Sequence, residues 1–192
     1  MKKSLLKVLS AAVMTVAGAV LANASITVSN PVVSGGGPNF TWAYGISGDG
    51  QEQLNATVPT FFTIYDFAGY VAGSIFAPAG WTATTQLVGT TPSGQIIPDS
   101  PSILNLVFTY NGAIAPVPTI AAGPSGFGAL STLVQANPNG FFTYQAQKIT
   151  NLTASDQGQG PTSVPTAIPE PLSMTMLGGG LALIGMLRFR RK

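Results

Sequence analysis

Five carboxylates, Asp49, Glu52, Asp66, Asp99 and Asp156, are the side chains between residues 25 and 168 with the chemistry to act as general acid or base. Two such groups, one held protonated, suffice to hydrolyse a glycosidic bond. Asp49 and Glu52 are the nearest pair in sequence, but Gly48 and Gly50 flank Asp49 and mark a turn whose charges face water. Asp66 lies in the most apolar stretch of the chain, where its plainer role is a strand-end carboxylate bonded to loop amides. Asp49-Gly50-Gln51-Glu52 lacks the spaced Asp/Asn ladder of a calcium loop, so no metal site is expected there.

The chain has no Cys and no His. Thiol nucleophiles, Ser-His-Asp triads, Cys/His zinc sites and disulfides are thereby excluded. Gly-x-Ser-x-Gly, Walker and Gly-x-Gly-x-x-Gly motifs are absent too, so neither a cofactor nor an enzymatic activity is expected. A carboxylate-dependent glycan hydrolase is the weakest of three functional readings.

Aromatic rings offer a second chemistry, since their faces stack on sugars. Trp42, Tyr44, Trp81 and Tyr70 could do this. Trp42 and Tyr44 share an inward stripe with Phe40 and Ile46, which leaves Trp81 and Tyr70 as the candidate glycan contacts.

Charge narrows the choice of partner. The formal net charge of +2 comes from the termini, because Lys148 is the only cation from residue 8 to residue 187. Against the five acids above it gives the body a charge of 1 − 5 = −4. Nucleic-acid binding needs several phosphate-neutralising cations, so nucleic acid is not a partner.

The elements that must position these residues read as strands. Phe40, Trp42, Tyr44 and Ile46 alternate with Thr41, Ala43 and Gly45, and Leu104, Leu106, Phe108 and Tyr110 alternate with Asn105, Val107 and Thr109. Residues 81–88 and 141–149 predict two more half-buried strands, the latter with Phe142, Tyr144 and Ala146 inward. Residues 61–67 are apolar on both faces and predict a central strand covered on each side. Asn111-Gly112 signals a type I′ hairpin turn. The only helical candidate in the body is residues 129–136. Residues 154–168 carry Gly158, Gly160, Pro161 and Pro165 with few large apolar side chains, and predict a flexible linker. The fold expected is all-β: a single antiparallel β-sandwich of jelly-roll or Ig-like form over residues 25–153, with an N-terminal signal helix and a C-terminal hydrophobic helix.

Residues 1–24 combine Lys2, Lys3 and Lys7, an apolar run over residues 8–21, and Ala22-Asn23-Ala24. This is the pattern of a secretory signal peptide cut after Ala24, with Ala22 and Ala24 as the small residues at the cleavage site, so the Sec translocon and signal peptidase are partners. At its other end the chain has Pro169-Glu170-Pro171, an uncharged apolar run over residues 172–187, and the basic tail Arg188-Phe189-Arg190-Arg191-Lys192. Arg188, Arg190, Arg191 and Lys192 resist crossing the membrane, which leaves the body outside. As a helix the run reaches about 24 Å against a hydrocarbon layer of about 30 Å, marginal for a permanent anchor.

Residues 169–192 resemble the PEP-CTERM sorting signal of Gram-negative bacteria that make exopolysaccharide, matched at Pro169, Glu170 and Pro171 and in the helix and basic tail that follow. The stretch Phe61-Phe62-Thr63-Ile64-Tyr65-Asp66-Phe67-Ala68-Gly69-Tyr70, with Ala79-Gly80-Trp81, is similar to a block in other passengers of this kind. The resemblance implies processing by exosortase, a membrane-embedded cysteine transpeptidase that removes the tail and passes its substrate to the cell surface or extracellular matrix. It also implies exopolysaccharide as a neighbour. The leading expectation is a secreted, non-enzymatic surface or matrix protein, and the alternative is a polysaccharide-binding module with the same address.

Overall fold

The computed structural model describes residues 26–167. Among them are twelve strands and no helix. In chain order these are β1 (Ile26–Val28), β2 (Val32–Ser34), β3 (Phe40–Tyr44), β4 (Ile46–Gly48), β5 (Glu52–Leu54) and β6 (Phe61–Ile64). Then come β7 (Trp81–Gln86), β8 (Asn105–Tyr110), β9 (Ala115–Pro116), β10 (Phe127–Ser131), β11 (Ala136–Lys148) and β12 (Ser155–Pro165). The signal helix and the hydrophobic helix expected at the ends lie outside the described residues.

All strand pairings are antiparallel, as expected of an all-β chain of short, Thr-rich strands. The large sheet runs β7-β8-β6-β11, with β12 along the far side of β11 and β5 carrying β9. Two smaller sheets, β10-β3-β2 and β1-β4, complete the body. Between the sheets the alternating apolar residues meet: Trp42 and Tyr44 from β3, Phe62 and Ile64 from β6, Leu106 and Phe108 from β8, Phe127 from β10, and Phe142, Tyr144 and Ala146 from β11. Phe62 stacks on Phe108 at 4.8 Å and meets Phe127 edge-on at 4.9 Å, so rings from different sheets interlock in the favoured geometry.

The central position of β6 is observed, and it is covered on both sides. One face enters the core, and across the other runs a strap, residues 87–104. Thr63 Oγ1 donates to Thr90 O at 2.7 Å, and Tyr65 Oη lies 2.6 Å from Thr91 Oγ1 and 3.1 Å from Thr143 Oγ1. The strap also explains why Asn105 and Val107, read as outward on β8, are buried. Gly89 is required where the strap crosses Tyr65, because a Cβ there would sit 2.4 Å from the ring.

Four expectations are corrected. Residues 155–165 are not a linker but strand β12, paired with β11 from Ala136↔Pro165 to Gln147↔Ser155, so the folded unit extends past residue 153. The glycines that suggest flexibility lie opposite aromatic rings of the core: a Cβ on Gly158 would be 2.4 Å from Tyr144 Cε1, and one on Gly160 2.8 Å from Phe142 Cε1. Residues 129–136 form no helix; Ala129 belongs to β10, bonded to β3, and Ala136 opens β11. Asn111-Gly112 closes no hairpin, because the chain runs on to β9, which pairs with β5. The strand expected over residues 61–67 ends at Ile64, since Asp66 takes a left-handed conformation with φ 56° that a strand cannot hold.

The open side of β10 is closed by residues 69–76. Val71 N donates to Leu130 O, Phe76 and Gly128 exchange two backbone bonds, and Thr132 N donates to Gly69 O. Covering a sheet edge in this way removes a template for pairing with other chains.

Candidate functional site

The residues expected to direct sorting lie outside the described residues: Ala22 and Ala24 at the signal cleavage site, Pro169, Glu170 and Pro171 of the motif, and Arg188, Arg190, Arg191 and Lys192 of the tail. Among the described residues no helix is long and apolar enough to cross a membrane, and no group of three or more His, Cys, Asp or Glu stands ready to hold a metal ion.

The four sugar-stacking aromatics separate by burial. Trp42 and Tyr44 are fully buried, with Trp42 Nε1 donating to Leu133 O at 2.9 Å and Tyr44 Oη to Ser163 O at 3.0 Å. Trp81 opens β7 and is half-buried, its ring held edge-on by Phe62, Phe127 and Tyr110 at 5.0–5.7 Å. Tyr70 is also half-buried, edge-on to Phe67 at 6.4 Å. Each candidate is thus partly accessible, Trp81 against three rings and Tyr70 against one.

The carboxylates fall into three settings. Asp49 caps its own turn, Oδ1 accepting from Gln51 N at 2.9 Å. Glu52, read as a solvated turn charge, is instead 2% exposed on β5, opposite Lys148 in the β5–β11 register. Lys148 Nζ lies 3.2 Å from Asp156 Oδ1, and Tyr144 Oη donates to Asp156 Oδ2 at 3.0 Å. An exposed ion pair of this kind contributes about 0–1 kcal/mol.

Asp66 and Asp99, 33 residues apart, are joined by buried Asn105, a pairing that no local pattern announces. Asn105 Oδ1 accepts from Asp66 N at 2.8 Å, and its Nδ2 donates to Asp99 Oδ1 at 3.0 Å. Each carboxylate also takes a strap amide: Ser100 N donates to Asp66 Oδ1 and Gly89 N to Asp99 Oδ2, both at 2.9 Å. The cluster acts as a latch for the strap, in the loop-amide role expected of Asp66.

Burial, with a further contribution from the charge of Asp99, holds the Asp66 carboxyl above its ordinary pKa, although the Ser100 amide pulls the other way. A carboxyl raised by folding binds its proton more tightly in the native state, so stability falls as pH rises from the unfolded pKa through the folded one. Asp66→Asn keeps the acceptor and suits the left-handed backbone, but does not titrate. The variant is expected to melt above the wild type at neutral pH, the gap closing as acid protonates Asp66. Thermal melts across the acidic range check both features.

A shallow groove of about 430 Å³ crosses the outer side of the β10-β3-β2 sheet. Its lining includes Ser34, Thr41, Ser74, Phe76, Pro124 and Leu130, and carries no charge.

These features define a class: an antiparallel all-β body with few charges and a polar latch. No protein-family model matches the chain, and no curated protein does.

Proposed function

We propose that this is a secreted, non-enzymatic protein of the cell surface or exopolysaccharide matrix, sorted and processed by exosortase. One observation carries the reading: Pro169-Glu170-Pro171, an uncharged run of marginal spanning length, and an arginine cluster stand in that order at the end of a chain that opens with an export signal. The two-ended pattern specifies export, a temporary membrane stop and release. We read the packed sheets as a β-sandwich, a rigid passenger between these signals. Its neutral polar surface suits an extracellular setting, with six charged residues among the described ones.

A polysaccharide-binding role is the second reading, favoured by the uncharged groove with Phe76 and Pro124 on its walls and hydroxyls from Ser34, Thr41 and Ser74. Hydrolysis has less support, because Asp66 and Asp99 each spend an oxygen on a strap amide.

Intact mass of the protein recovered from cells tests the main reading at both termini. With exosortase present, the expected mass lacks residues 1–24 and the basic tail; without exosortase, the tail is retained in the membrane fraction. A mature protein that keeps both ends and sits in the cytosol overturns it.

A further inference from the structure

The sheet ends almost at the sorting motif. Strand β12 runs to Pro165, and Thr166 N still donates to Gln135 O at 2.9 Å, so the fold holds the chain to within three residues of Pro169. From Ala167 to Leu172, where the apolar run begins, five residues reach at most about 18 Å even when fully extended. The headgroup layer on one side of a bilayer accounts for about 5–8 Å of that span. While the C-terminal run is in the membrane, the corner of the body next to Ala167 is therefore kept within about 13 Å of the lipid surface.

That corner has the composition such a position requires. Thr132, Leu133, Val134 and Gln135 form the loop between β10 and β11 and, with Thr166 and Ala167, line a shallow depression of about 320 Å³. None of these residues is charged, and Val134 is 54% exposed. The loop is held rigidly, since Leu133 O accepts from the indole of buried Trp42 and Leu133 N donates to Ser131 Oγ at 3.0 Å. An exposed valine on a stiff, uncharged loop can enter the interface without desolvating a charge.

We infer that the corner of Leu133, Val134, Gln135, Thr166 and Ala167 is the surface on which this protein rests against the lipid headgroups until its tail is cut. The inference depends on the membrane reading of residues 172–187. It goes further by assigning the body one orientation: the β11–β12 hairpin points away, its tip at Leu152 up to about 40 Å off along the thirteen residues of β11.

With no native Cys, single-site labelling is clean. Full-length precursor, made without exosortase, is reconstituted in phosphatidylcholine liposomes containing spin-labelled lipid, with an environment-sensitive fluorophore on Val134→Cys or Leu152→Cys. These sites are comparably exposed, at 54% and 59%, and matching melts with the wild type confirm that each variant folds. The expected result is at least severalfold stronger lipid quenching at position 134 than at 152, abolished when the tail is removed. Equal quenching overturns the inference while leaving the anchor intact, and so does stronger quenching at 152. Quenching at 134 that persists without the tail means a lipid affinity of its own and overturns the tethered form. Failure of the precursor to enter liposomes overturns the membrane reading itself.

Discussion

A chain cut back to Thr153 is expected to remain unfolded. If residues 154–168 were a linker, the truncation would cost nothing; as β12 they pair with ten residues of β11 and place Val164 in the core. At about 1 kcal/mol net for each lost hydrogen bond, and with Phe142 and Tyr144 laid open on one side, the loss matches the whole stability of an ordinary domain, about 5–15 kcal/mol. Circular dichroism and protease resistance of the two chain lengths decide it. A subtler change probes the same strand. Gly158→Val gains up to about 1 kcal/mol of strand preference. Its Cβ meets the Tyr144 ring at 2.4 Å, however, and that ring cannot swing away, being buried and held by its bond to Asp156. Overpacking costs about 1–3 kcal/mol before the bond is lost, so the clash wins and the variant melts lower. An unchanged melting point would return the segment to the status of a spacer.

The second large effect concerns release. Glu170 is the only acid between Asp156 and the chain end, and a proline on either side disfavours helical geometry at such a position. Under the proposed sorting, an acidic residue at a defined depth offers a recognition subsite one charge-assisted contact, worth about 1.5–3 kcal/mol. Glu170→Ala is therefore expected to slow tail removal roughly ten- to a hundredfold, at 1.36 kcal/mol per tenfold, with secretion unaffected. Pulse-chase of precursor and processed forms measures this. Unchanged processing would show that Glu170 is not what the proposed exosortase reads.

Both effects bear on how the domain would meet a membrane under the proposed sorting. With the sheet holding the chain to Thr166, the proposed anchoring leaves little slack between the body and the membrane, and in the inferred orientation the valine loop faces lipid during that interval. The Asp66 latch lies elsewhere on the body, between the strap and the large sheet, and governs stability rather than release.

Alternation along the chain was enough to set the inward faces of β3 and β11, because a strand buried on one side records that burial in every second residue. The expectation of an export signal and of a marginal, arginine-stopped run rests likewise on sequence alone, since hydropathy and charge act on a bilayer without a folded partner. Partnership was settled only in three dimensions. The glycines of β12 read as slack until the rings of Phe142 and Tyr144 are seen across from them. Glu52 reads as a surface charge until β11 brings Lys148 alongside, and Asp66 and Asp99 are strangers until Asn105 joins them. In each case the deciding contact comes from a residue far along the chain, and no local pattern encodes the shape of a neighbour that folding alone supplies.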